Sequence, residues 1–170
     1  MPYLQQLLKS AGMPLPPKPQ PSHVILAGIG GVVTVAALAL LHGSLELTLL
    51  LGSFGASCVL VFGFPESPFS QPRNVISGHV LSSTVGLLFL TLFGPHWWAL
   101  ALAAGLAISV MMATRTVHPP AGSNPVIIFL AQPTWDFLLF PTFTGAIVVV
   151  LVAWIFLRSS KRAPYPYYWW

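Results

Sequence analysis

The sequence predicts an all-α fold: a polytopic membrane helix bundle of five full spans plus one short half-span helix, with two polar, proline-rich loops entering the membrane. Three observations carry this expectation. First, 55% of the 170 residues are hydrophobic and 6% are charged, with a mean hydropathy of +0.80. A soluble domain carries roughly 25% charged residues, so this chain has too few to cover a water-facing surface. Second, apolar runs recur near the ~20 residues that a helix needs to cross about 30 Å of hydrocarbon. Third, much of the remaining polarity gathers in two stretches, residues 65–74 and 115–125, each hemmed in by apolar sequence.

Composition also excludes function classes. Seven Lys/Arg against three Asp/Glu give a net charge of +4, but the basic residues are scattered. They read as a topology signal, and no nucleic-acid partner is expected. The single cysteine, Cys58, sits inside an apolar run, where a small buried hydrophobe is the ordinary role. It excludes an internal disulfide and a cysteine-based zinc site. The five histidines lack metal-ligand spacing and the three carboxylates are unpaired, so neither a metal nor another cofactor is expected. No nucleophile lies beside a base, which argues against an enzyme. Gly28, Gly30 and Gly31 fall within a span and not after a strand, so they mark helix packing and not a dinucleotide loop.

Taken in order, residues 1–22 form a cytoplasmic N-terminal segment. Residues 3–8 suit one amphipathic turn, and the prolines between Pro14 and Pro21 make an extended spacer. No cleaved signal peptide is expected. The membrane domain covers residues 23–158. Its first run, 23–41, offers a thin glycine face, and its second, 45–64, carries Gly52, Ser53, Gly55, Ala56 and Ser57, read as a small-residue packing face. Glu46 suits the first turn of that helix. The third run, 75–93, crowds Ser77, Gly78, His79, Ser82, Ser83, Thr84 and Gly86 into its first half, too polar for lipid and expected to point into the bundle. Gly94-Pro95-His96 turns the chain before Trp97 and Trp98, an interfacial belt. The fourth run ends near Thr114. Residues 126–132 are half a span, 137–157 a full one, and 159–170 a basic and aromatic cytoplasmic tail.

Charge selects the number of crossings. If the short piece crosses too, both termini share one side, and Lys9, Lys18, Arg73, Arg115, Arg158, Lys161 and Arg162 all lie there. The opposite turns then hold only Glu46 and Asp136. The positive-inside rule prefers this arrangement and puts both termini in the cytoplasm. A helix over residues 124–132 rises only about 1.5 Å per residue, so the 115–125 stretch must descend toward the midplane to meet it. Such descents place polar backbone at depth in transporters and channels. A loose echo, Ser70-Gln71-Pro72 against Ser123-Asn124-Pro125, repeats a unit of helix, proline-rich loop and helix.

Pro72 and Pro125 each stand where a helix should begin. That places Ser70 or Gln71, and Ser123 or Asn124, near helix caps with unpaired N–H groups, a setting that favours anions. Arg73 and Arg115 add charge, Asn74 a donor, and His79 and His118 donors or a proton site near neutral pH. The arginines equally suit headgroup anchors, and His79 a structural hydrogen bond between helices.

The motif His118-Pro119-Pro120, with Ala121-Gly122 after it and Arg115-Thr116 ahead of it, resembles the HPP family of small integral membrane proteins. The likeness extends to Ser67-Pro68 and to Gln71-Pro72-Arg73-Asn74-Val75-Ile76-x-Gly78-His79, and covers residues 25–157. The family is described with four membrane helices, fewer than are counted here. Cyanobacterial and plant plastid members are associated with nitrite transport, and some bacterial members carry an added CBS domain, which is not expected here. The resemblance thus implies a multi-pass protein of a bacterial, cyanobacterial inner membrane that moves nitrite. The expected site is Arg115, His118, Ser123, Asn124, Arg73, Asn74, Ser70 and His79. One chain this small is expected to form a homo-oligomer, with the glycine-rich first and second helices as its interface. The alternative is a membrane scaffold or sensor subunit that transports nothing.

Overall fold

The computed structural model describes residues 17–45 and 50–169. The expected amphipathic turn, Lys9 and Glu46 lie outside the described residues. Six α-helices and no strand occur among those described: α1 (Pro21–Leu45), α2 (Gly52–Gly63), α3 (Pro72–Phe93), α4 (Trp97–Ala113), α5 (Asn124–Ala131) and α6 (Thr144–Ser159). Short 3-10 turns, Pro68–Ser70 and Pro119–Ser123, precede α3 and α5. The two echoed stretches therefore take the same local form, a tight turn running into a helix with proline in its first turn.

Three segments are long and apolar enough to cross a membrane: Pro21–Leu41, Pro72–Phe93 and Trp135–Ser159. The other two expected full spans are shorter helices, with 12 residues in α2 and 17 in α4. The last span begins at Trp135, before α6 itself. It opens with a 3-10 turn and breaks at Phe140 (φ −130°, ψ 115°), directly before Pro141, whose missing N–H and ring disfavour an uninterrupted helix.

Packing follows stripes of small residues at helical spacing. In α4 the buried positions are Ala99, Ala103, Ala107 and Met111, a groove that lets helix backbones approach closely where lipid supplies no hydrophobic drive. In α1 the buried line is Gly30, Thr34 and Leu38, and only 17% of its spanning window is buried. A Cβ at Gly30 would overlap the edge of the Phe62 ring of α2, so this glycine permits the contact. The outward residues of α1, such as Val32 and Leu40, are exposed and suit lipid.

One end of the bundle is tied by main-chain contacts. Arg162, after α6, donates to His23 O at the start of α1 (2.8 Å) and to Gly63 O at the end of α2 (3.2 Å). Tyr165 OH donates to Ser70 O (2.9 Å), and the Tyr167 N–H to Gln71 Oε1 (2.9 Å); burial pushes the Tyr165 phenol up from its ordinary pKa. Arg73, opening α3, donates to Thr114 O at the end of α4 (3.1 Å). Both ends of the described chain therefore meet at one face of the bundle, the face that carries Lys18, Arg73, Arg115, Lys161 and Arg162.

Two helices reach only part of the way along α3. The start of α5 lies against the middle of α3, since a Cβ at Gly86 would stand 3.1 Å from Pro125 Cα. The start of α2 lies at the same height, because Ser53 Oγ donates to Asn124 Oδ1 (2.9 Å). From there α2 runs about 18 Å toward the basic face and α5 about 12 Å away from it. Two half-length helices thus begin beside each other near mid-height, the arrangement that the length argument required of residues 115–132.

Candidate functional site

The 115–125 stretch is held by one side of α3. It opens where α4 ends: Arg115 N–H donates to Met112 O (3.1 Å) and Thr116 N–H to Met111 O (2.9 Å), with Arg115 at φ 56°. This is a Schellman ending with arginine at the left-handed position where glycine is usual. Its charge suits the negative end of the helix dipole. Asn74, Gly78, Ser82 and Gly86, spaced every four residues on α3, then form the seat. Asn74 Nδ2 donates to Val117 O (2.9 Å) and Ser82 Oγ to Ala121 O (2.6 Å). At Gly78 a Cβ would lie 2.8 Å from His118 Cβ and 3.0 Å from Thr116 O, so the loop backbone can approach only a glycine there.

Behind this seat, α2, α3 and α5 enclose a chain of buried polar groups. Asn124 Nδ2 donates to His79 Nδ1 (3.1 Å) and to Ser83 Oγ (2.9 Å), and also faces His79 O (3.3 Å). That carbonyl and the Ser53 hydroxyl fix which side of the amide is oxygen. His79 Nδ1 is then an acceptor, leaving Nε2–H to donate to Ser57 Oγ (3.0 Å). The Ser57 hydrogen reaches His118 Nε2 (2.8 Å) or Ser53 O (3.1 Å), and His118 Nδ1–H donates to Phe69 O (2.7 Å). With the Ser57 hydrogen on His118 Nε2, the shorter of its two contacts, each ring has one donor and one acceptor nitrogen, the neutral form. The chain ends on the carbonyl of the first proline-rich loop and so joins the two loops. His79, His118, Asn124 and Ser57 are all fully buried, and the Phe54 ring stands edge-on to His79 at 5.0 Å. An uncharged, fully paired layer thus closes the bundle near mid-height.

The expected site residues divide into three groups. His79, His118 and Asn124 meet in the layer. Arg73 and Asn74 clamp the loop from α3, and Asn74 Oδ1 is buried without a partner. Ser70, Ser123 and Arg115 stand elsewhere: Ser70 Oγ faces Phe64 O (2.8 Å) and Leu60 O (3.0 Å), Ser123 is exposed and donates to Pro120 O (2.8 Å), and Arg115 is exposed. Gln71 and Ser123 stand at the N-caps of α3 and α5, where the sequence places them. Neither Gln71 nor Ser123 makes a side-chain cap bond, because Gln71 donates to Pro65 O and Ser67 O (2.9 Å each) and Ser123 folds back on its own turn. Ser53 and Ser57, read as packing residues, are polar partners of the layer; two hydroxyls four apart in an apolar helix were the available signal. Among the described residues no group of three or more His, Cys, Asp or Glu gathers.

Known proteins match this chain along nearly all of it. Two proteins of Dictyostelium discoideum, named only as transmembrane proteins, are 32% and 36% identical to it. The first match covers 99% of this chain and 63% of the relative; the second covers 84% and 50%. The chain therefore spans about half to under two thirds of the length of these relatives. No solved structure matches. The family model described as HPP, transmembrane region, matches residues 16–166, a stretch that contains both proline-rich loops, the half-length helices and the buried layer, and this integral membrane chain belongs to the HPP transmembrane family.

Proposed function

We propose that this chain is a transporter of a small monovalent anion, with nitrite as its substrate. The observation that carries the reading is the pair of half-length helices that begin side by side at mid-height, with a layer of hydrogen-bonding side chains between them. Interrupted helices with polar groups at the break are how membrane transporters place a substrate site at depth. Polar groups inside a membrane bundle mark transport pathways by default.

Each part has a physical role in this reading. Arg73 and Arg115 at one face raise the local concentration of anions before entry. Asn124, Ser57 and the two histidines supply neutral donors, which hold an anion without trapping it as a full ion pair would. Those donors are all engaged, so passage requires the layer to part and the anion to take over bonds that now run between helices. The half-length helices α2 and α5 are the elements to move, because each begins at the layer.

The test is nitrite uptake into proteoliposomes, comparing the native protein with Arg115→Gln at matched reconstitution. Arg115 is exposed and glutamine keeps its main-chain bond to Met112 O, so the substitution costs about 0.3–1 kcal/mol of charge–dipole interaction, and a lower flux at matched reconstitution reports on anion recruitment. Equal uptake by both proteins removes Arg115 from the pathway. Uptake by the native protein no greater than by empty liposomes overturns transport and leaves the scaffold reading, for which a copurifying partner is then the evidence to seek.

A further inference from the structure

A groove runs down the outside of the bundle between α1 and α2, beginning at the basic face. Its upper part, about 540 Å³, is lined by Lys18, His23, Arg162 and the apolar Val24, Ala27 and Phe64. Through Ala27, Gly63 and Phe64 it continues into a second part of about 390 Å³, which reaches Gly28, Val35, Gly55 and Val59. The glycines keep it open: a Cβ at Gly28, Gly55 or Gly63 would meet nothing within 4 Å. The distance from His23 to Val35 along α1 is about 18 Å, close to the ~15 Å depth of one leaflet's hydrocarbon. The groove is thus charged where headgroups lie and apolar for the length of an acyl chain.

The charge at the mouth is not neutralised. Arg162 donates to two main-chain carbonyls and keeps a buried Nε–H without a partner. Lys18 lies beside it, and among the described residues Glu66, lining the adjoining pocket, is the one carboxylate there. Two cations against one carboxylate leave the mouth positive. Two copies of the chain joined groove to groove by a twofold axis would set Lys18 and Arg162 of one against those of the other. An anionic occupant relieves that charge.

We infer that this groove binds an anionic phospholipid, with the phosphate between Lys18 and Arg162 and one acyl chain along Gly28 and Gly55. The site is separate from the buried layer and does not depend on transport.

Native mass spectrometry of the full chain in detergent, titrated with phosphatidylglycerol or phosphatidylcholine of matched chains, tests it. The native protein should retain phosphatidylglycerol in preference. Lys18→Gln should lower that preference roughly fivefold, the ratio set by about 1 kcal/mol for each basic residue near an anionic surface. Gly55→Leu should abolish retention of both lipids while the protein stays folded, since leucine there enters open space and is a better helix former. Equal retention of the two lipids by the native protein overturns the inference. So does a Gly55→Leu protein that retains phosphatidylglycerol like the native one, or a native dimer that Gly55→Leu disperses with no lipid preference in either.

Discussion

Asn124 is the residue on which the buried layer turns. Its amide holds Ser53 of α2, His79 and Ser83 of α3 and the start of α5 in one arrangement. No other side chain of the layer bonds three side chains on two other helices. Asn124→Leu, with the same branched skeleton of heavy atoms, leaves the Ser53 hydroxyl and the His79 acceptor unpaired, while Ser83 keeps Thr142 (3.1 Å). Interhelical bonds inside membranes average about 0.6 kcal/mol each, so three lost bonds predict a destabilisation of about 2 kcal/mol. Thermal unfolding in detergent measures it, with Ser123→Ala, one residue away but exposed, as the variant that should stay within about 0.5 kcal/mol of the native protein. Equal midpoints for the two variants would mean that the amide is incidental.

At the scale of elements, α3 is the helix that the rest is fitted to. Its line of Asn74, Gly78, Ser82 and Gly86 seats the loop, and the adjacent line of His79 and Ser83 builds the layer. Gly78→Ala should therefore cost about 1–3 kcal/mol, the usual range for an overfilled site, because the nearest atoms are the backbone and Cβ of the loop, which cannot swing aside. Gly28→Ala, with open space around it, should instead match or exceed native stability, since alanine favours a helix by about 0.5–1 kcal/mol. The same unfolding midpoints separate the two. This helix was also the most legible part of the sequence: of the polar and small residues crowded into its apolar run, Gly78, His79, Ser82, Ser83 and Gly86 are buried in the bundle, while Ser77 and Thr84 are half-buried and Thr84 bonds its own helix at Val80 O. The half-length α5 was legible too, from its apolar length alone. The shortness of α2 was not, because residues 45–64 read as one long apolar run and hydropathy carries no mark of where a helix starts. Nor was the use of Ser53 and Ser57, whose size suits packing as well as hydrogen bonding; only the position of α5 across from them decides between the roles. The helix starts were legible as well: proline in the first turn marks where α3 and α5 begin, and Gln71 and Ser123 stand at their N-caps.

At the scale of the whole molecule, the fold requires an even number of passages between its two faces. Arg162 touches His23 across 139 positions of sequence, so the chain leaves the basic face at α1 and returns to it at the end of α6. Arg73 meeting Thr114 closes a second circuit, out along α3 and back along α4. Between them the 115–132 stretch leaves the basic face, descends to mid-height and continues as the half-length α5 toward the opposite face, and Trp135–Ser159 completes the return. Such a molecule has its basic residues at one face whichever way it is inserted, and the positive-inside rule then sets which face that is. Single cysteines introduced at Gln20, His96 and Ser159 test both statements, with the buried Cys58 replaced by alanine. In intact cells an impermeant maleimide should label the position 96 thiol and spare positions 20 and 159, and opening the membrane should expose all three. Labelling of positions 20 and 159 from opposite sides would break the fold, because their neighbours His23 and Arg162 are in direct contact. Labelling of both from outside would keep the fold and reverse its insertion, against the charge of every basic residue in the described chain.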